Sequence, residues 1–207
     1  MKVLLISPYS DIASIGLRII AAATTKAGHD VSMVFLPHTP QEENHLSDEE
    51  HTYPAHIAST LAELAAESDL VGITVMTNYL HRARRLTEIV RSKESPVVVW
   101  GGIHPTIRPT ECLQYADYVI LGEGEEAFCE LLGRLDARES VDDVANIALL
   151  QKGELKRNEP RPLVQDLDTL PFPDYGPDNH YIWDRDADGL IPMTMELLQK
   201  HLGLGPI

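Results

Sequence analysis

The chain has 207 residues, 43% of them hydrophobic, so at about 100–200 residues per domain one domain plus an appendage is expected. Its 17 Lys+Arg against 32 Asp+Glu give a formal charge of −15, which argues against a nucleic-acid backbone or an anionic membrane as partner. The opening apolar run over residues 3–6 stops at Ser7-Pro8, too short for a signal-peptide core, and no stretch approaches the roughly 20 apolar residues of a membrane span. Cys112 and Cys129 are the only cysteines, neither a disulfide scaffold nor a zinc spacing, so a cytoplasmic protein is expected.

Residues 2–7 read as a short buried strand ending in the turn cluster Ser7-Pro8-Tyr9-Ser10-Asp11. Ser14 is a plausible N-cap for a helix running to Gly28, a good C′ residue, and a second strand follows over 31–36. Residues 37–54 carry His38, His45 and His51 among Glu42, Glu43, Asp48, Glu49 and Glu50 with no apolar period, which predicts a solvated loop. Helical spacing resumes at Ile57, Leu61 and Leu64. A strand at 70–75, a helix at 80–90, a strand at 97–100 ending in Gly101-Gly102, a short helical piece at 110–115, a strand at 118–121 and a helix at 125–135 complete the alternation.

Such β/α alternation predicts a flavodoxin-like α/β fold, a doubly wound parallel sheet of strand order 2-1-3-4-5. Beyond residue 140 the pattern changes. Residues 146–151 and 154–157 around Lys152-Gly153 read as a β-hairpin, and residues 160–177 hold five prolines, an extended linker. The domain expectation is therefore an α/β domain over 1–140, hairpin and linker over 141–177, and a tail over 178–207.

Ligands of doubly wound sheets bind outside the carboxyl ends of the strands, which directs attention to the loops after strands one, three, four and five. The first loop offers only Gly16 where a dinucleotide site needs G-x-G-x-x-G. Its hydroxyls, Ser7, Ser10 and Ser14, are interrupted by Pro8, Tyr9, Ile12 and Ile15, a poor flavodoxin-type phosphate loop, and the acidic residues of a phospho-receiver are missing.

The loops do match a three-part signature, Asp-x-His-x-x-Gly, Ser-x-Leu and Gly-Gly. Here it reads Asp11-Ile12-Ala13-Ser14-Ile15-Gly16, then Thr74-Val75-Met76, then Gly101-Gly102. Further phrases agree: Thr25-Lys26-Ala27-Gly28-His29-Asp30-Val31, Gly101-Gly102-Ile103-His104-Pro105-Thr106, Asp117-Tyr118-Val119-Ile120-Leu121-Gly122-Glu123-Gly124-Glu125-Glu126 and Leu170-Pro171-Phe172-Pro173-Asp174-Tyr175. Over residues 1 to 177 the chain resembles the N-terminal cobalamin-binding domain of cobalamin-dependent radical S-adenosylmethionine enzymes. The resemblance implies cobalamin as cofactor, bound by Ser10, Asp11, Ala13, Ser14 and Gly16 of the first loop, Thr74, Met76, Thr77 and Asn78 of the third, Gly101, Gly102 and His104 of the fourth, and Gly122, Glu123, Gly124 and Glu125 of the fifth.

Ala13 stands where the cobalt-ligating histidine of the signature would be, and a methyl group cannot coordinate a metal, so no protein histidine is expected as lower axial ligand at this position. The resemblance also implies a following domain whose C-x-x-x-C-x-x-C motif carries a 4Fe-4S cluster and cleaves S-adenosylmethionine. The residues after 177 lack it, so the chain reads as truncated before that domain, with a radical S-adenosylmethionine domain or protein in trans as a partner and no catalysis of its own.

Each of these residues also has a plainer reading. Gly101-Gly102 could serve only a tight turn, Asp11 an Asx-turn, and His104 a backbone-satisfied loop. His38, His45, His51 and His56 follow no metal-ligand spacing, and Arg82, Arg84, Arg85 and Arg91 read as an exposed helix face. The alternative function is a cofactor-free docking domain with a vestigial site. An open apolar crevice near Gly16, Met76 and Gly101 distinguishes the two.

Overall fold

The computed structural model describes residues 1–37, 53–93 and 96–203. Strands β1 (Lys2–Ser7), β2 (Asp30–Phe35), β3 (Leu70–Thr74), β4 (Val97–Gly101) and β5 (Tyr118–Ile120) alternate with helices α1 (Ile15–Lys26), α2 (Ala55–Ala66), α3 (Leu80–Val90), α4 (Ile103–Ile107), α5 (Pro109–Cys112) and α6 (Glu125–Asp136). β1 is buried at every residue after Lys2, as a parallel strand covered on both faces must be. Parallel pairing runs β2-β1-β3-β4-β5, the strand order the alternation predicts.

Four further strands widen the sheet to nine, in the order β7-β6-β5-β4-β3-β1-β2-β8-β9. β6 (Ile147–Gln151) and β7 (Glu154–Arg157) form the expected hairpin, antiparallel against β5. β8 (Tyr181–Asp184) and β9 (Gly189–Pro192) form a second hairpin, which enters parallel to β2 at Val34 and Phe35, and α7 (Met195–Leu202) follows it. No strand is read from sequence at 178–207, where the hairpin's place beside β2 rests on contacts distant in sequence, such as His180 with Met33.

Alternation along the strands divides the core. Leu4, Ile6, Val71, Ile73 and Trp100 face α2, α3 and α5, whereas Leu5, Leu70, Val99 and Ile120 face α1, α6 and α7. α1 ends as predicted at Gly28, whose φ of +94° suits glycine. Ser14 does occupy its N-cap position, but in the left-handed conformation at φ 37° and without a side-chain cap.

The linker is held at both ends. Arg161 pairs with Glu126 and Glu130 of α6, and its N–H donates to the Asn146 side chain at 2.7 Å. At the other end the fully buried Arg18 of α1 donates to the Asp174 carbonyl at 2.7 Å and lies between the rings of Phe35 and Tyr175. His180, also buried, accepts from the Met33 N–H through Nδ1 at 3.1 Å and so presents its Nε2 hydrogen to Asp174 at 3.2 Å.

Candidate functional site

A cavity of about 440 Å³ opens at the carboxyl edge of the sheet between α1 and α6. It follows from side-chain size along the strands. Register places Leu5, Gly72 and Val99 side by side as the floor, with Thr74 and Gly101 side by side one step nearer the edge. Phe128 of α6, Leu17 and Ile20 of α1 and Ile120 of β5 complete an apolar wall. Gly72 in the middle of β3 and Gly101 at the top of β4 carry no side chain to fill the space between α1 and α6.

The glycines play different parts. A Cβ on Gly72 would stand 2.7 Å from Leu5 Cδ2 and 3.6 Å from Phe128, so this glycine sets the depth of the floor. A Cβ on Gly101 would make ordinary contact with Ile120 at 3.9 Å and would project into the cavity, so glycine there keeps the cavity open. Gly102 answers to the chain itself. Its φ of +108° is glycine backbone, and a Cβ would lie 2.9 Å from the Val75 oxygen, the acceptor of the His104 N–H.

Polar groups gather at the mouth. The Tyr9 hydroxyl bonds to Thr74 Oγ1 at 2.9 Å, and its ring tilts against that of Tyr79, with centroids 4.8 Å apart. Burial pushes the Tyr9 phenol up to about 12, the hydrogen bond from Thr74 offsetting only part, so the hydroxyl stays protonated at neutral pH. Ser14 Oγ bonds to Ser7 Oγ at 2.7 Å, which ties the left-handed turn at the start of α1 to the end of β1. Gly122 donates its N–H to Thr106 Oγ1 at 2.9 Å, and α6 begins at Gly124 with no side-chain cap, leaving N–H groups at the cavity rim.

Of the residues expected from sequence, Ser14, Gly16, Thr74, Gly101, Gly102, Gly122, Glu123, Gly124 and Glu125 line this cavity. Ser10, Asp11, Ala13, Met76, Thr77, Asn78 and His104 do not. Asp11 makes the Asx-turn, accepting from the Ala13 N–H at 2.7 Å. Ser10 bonds to Tyr79 at 3.2 Å. Met76, Thr77 and Asn78 are exposed on the carboxyl edge, where Ile15, Ile103 and Ile107 add apolar surface. His104 is buried, with Nδ1 3.2 Å from Thr77 Oγ1, while Nε2 makes no hydrogen bond and lies 3.6 Å from Glu111.

Sequence reasoning missed Tyr9, Gly72 and Arg18. Gly72 left a signal, a lone glycine inside an apolar strand, which marks a close approach or a space. Arg18 left none, because its partners Phe35, Asp174 and Tyr175 are distant in sequence. Arg82 is likewise buried, holding the Pro8 carbonyl at 2.8 Å, whereas Arg84 and Arg91 pair with Glu111 and Asp117, so this helix face is not simply exposed. His38, His45 and His51 lie outside the described residues, and among the described residues no group of three or more metal-ligating side chains forms.

The family profile described as "B12 binding domain" matches residues 1–132. The chain belongs to the B12-binding domain family. An uncharacterized methyltransferase of Pyrococcus horikoshii, PH0819, is 27% identical to this B12-binding domain over 181 residues, 84% of the chain and 38% of that protein. The anaerobic magnesium-protoporphyrin IX monomethyl ester cyclase of Synechocystis is 26% identical over 166 residues, 78% of the chain and 31% of that protein. The chain thus spans 38% of the first relative and 31% of the second. Among solved structures, the radical S-adenosylmethionine methyltransferase TsrM of Kitasatospora setae, with cobalamin and a [4Fe-4S] cluster bound, superposes with a TM-score of 0.62 at 20% identity, covering 83% of this chain and 31% of TsrM. That likeness establishes the fold.

The cavity of this B12-binding domain suits part of a cobalamin. Its wall is apolar, its mouth offers the hydroxyls of Tyr9, Ser14 and Thr74, and Gly101 lets backbone approach a bulky ligand. No helix among the described residues is long and apolar enough to cross a membrane.

Proposed function

We propose that this B12-binding domain holds cobalamin with its corrin over the carboxyl edge of the sheet and its nucleotide tail in the cavity between α1 and α6. The observation that carries the reading is the cavity itself, open at the edge and walled by Leu17, Ile20, Val99, Ile120 and Phe128 around two glycines. A vestigial site kept only for docking would have no reason to hold about 440 Å³ open against the packing that fills protein interiors.

The residues divide the work. Ile15, Met76, Ile103 and Ile107 offer apolar cover to the corrin. Tyr9, Ser14 and Thr74 give hydroxyls, and the uncapped start of α6 gives N–H groups, to the ribose and amide oxygens. Glu123 and Glu125 keep the rim acidic, which favours those neutral groups over a bare phosphate.

Position 13 is alanine, so the place of the signature's histidine would offer a bound cobalt no imidazole. Cobalt supplies methyl-group and electron transfer chemistry when bound. By its likeness to the radical S-adenosylmethionine methyltransferase TsrM, this chain serves such an enzyme by binding the cofactor and does not itself catalyse. A radical S-adenosylmethionine domain, in cis or in trans, is its partner, and the exposed Leu163, Leu167 and Phe172 of the linker, Phe172 being 94% exposed, support such a contact.

The test is to mix the purified chain with hydroxocobalamin, remove free ligand by gel filtration and record the visible spectrum. Coelution with a spectrum lacking histidine ligation is expected. A colourless protein peak overturns the reading in favour of the cofactor-free docking domain.

A further inference from the structure

We propose that the cavity floor reads the base of the nucleotide tail, accepting an apolar arene and rejecting a purine. The inference rests on the reading above and adds which members of the cobamide class, differing only in that base, the site takes.

The volume decides which part of the ligand enters. At about 440 Å³ the cavity lies low in the range of about 300–1,000 Å³ that encloses whole drug-sized ligands, too small for a corrin with its amide arms. The flat base is the one rigid, largely apolar piece that fits between α1 and α6.

The floor has nothing polar to offer it. Leu5, Val99 and Phe128 carry no hydrogen-bonding atoms, and Gly72 carries no side chain. The backbone is committed as well, since Leu5 pairs with Gly72 and Gly72 with Val99 inside a parallel sheet flanked on both sides. The hydroxyls near the site stand at the mouth, away from this floor, where Tyr9 pairs with Thr74 at 2.9 Å and Ser14 with Ser7 at 2.7 Å.

A methylated benzimidazole or a phenol-derived ring therefore buries carbon against carbon. Adenine must bury an exocyclic amine and ring nitrogens without partners, losing the hydrogen bonds that water gave them. We expect the penalty to weaken binding at least tenfold, about 1.4 kcal/mol.

The test is a set of binding titrations on the full chain, followed by the absorbance of the corrin, with p-cresolylcobamide, adeninylcobamide, tail-less cobinamide and cobalamin. The cresolyl ring does not bond to cobalt, which separates reading of the base from any cobalt–base bond. The expected result is that p-cresolylcobamide binds at least tenfold tighter than adeninylcobamide and that cobinamide is weakest. Equal or tighter binding of adeninylcobamide overturns the inference while leaving cobalamin binding intact, as does cobinamide binding as tightly as p-cresolylcobamide. Failure of all four to bind overturns the parent reading, and the inference with it.

Discussion

The guanidinium of Arg18 donates through Nη1 to the carbonyl of Asp174, 2.7 Å away across 156 residues of sequence. The same side chain holds the carbonyls of Ile12 at 2.9 Å and Ala13 at 2.8 Å, so one buried cation fixes both the first site loop and the end of the linker. A planar fork stacked between Phe35 and Tyr175 is not replaceable by an ammonium.

Arg18→Met therefore leaves the carbonyls of Ile12, Ala13 and Asp174 short of a donor, and Arg18→Lys restores the charge but not the fork. At about 1.5–3 kcal/mol for a hydrogen bond to a charged group, losses of roughly 2–4 kcal/mol are expected for Arg18→Met and less for Arg18→Lys. Urea unfolding measures this, and cobalamin affinity should fall with stability because the first loop loosens. A Met variant as stable as the parent would falsify the role.

Gly101 and Gly102 separate binding from folding. Gly101→Val fills the cavity where only ordinary contact with Ile120 is met, so affinity for cobalamin should fall at least tenfold while the melting temperature moves little. Gly102→Ala forces a side chain into a glycine-only conformation against the Val75 oxygen, costing about 1–3 kcal/mol of stability. Thermal melts and ligand titrations on both variants check the pair, and the opposite assignment of effects contradicts the account.

Acid should loosen the second hairpin. The Asp184 carboxyl is held down to about 2, first by the Ala187 N–H and then by Lys200 and His201. A depressed carboxyl means that the folded state binds fewer protons than the unfolded one. Its stabilisation is thus complete above about pH 4 and is lost as the pH falls toward about 2. Asp184→Asn should flatten the fall of stability across that window, read by Trp183 fluorescence, and an unchanged profile counts against it.

Much of the fold was legible because its strands are buried on both faces and end at glycine, proline or serine clusters. Strand order followed from the alternation, and Gly101-Gly102 and Gly122-Glu123-Gly124-Glu125 led to the right edge of the sheet. The cavity was less legible, since its depth depends on Gly72 lying level with Leu5 and Val99, a register that no single strand displays. His104 read as a ligand candidate because its pairing with Thr77 spans two loops. The β8–β9 hairpin was invisible for a similar reason. Its place beside β2 depends on His180 meeting Met33 and on Arg18 meeting Asp174, contacts between segments far apart in the chain.

The most direct test of the central claim is electron paramagnetic resonance of cob(II)alamin bound to the chain. With the base in the cavity and no imidazole at position 13, the cobalt signal should show no nitrogen triplet splitting, unlike free cob(II)alamin with its own base attached. A nitrogen triplet in the bound signal would mean that the base remains on cobalt or that a histidine has replaced it, and either contradicts the account.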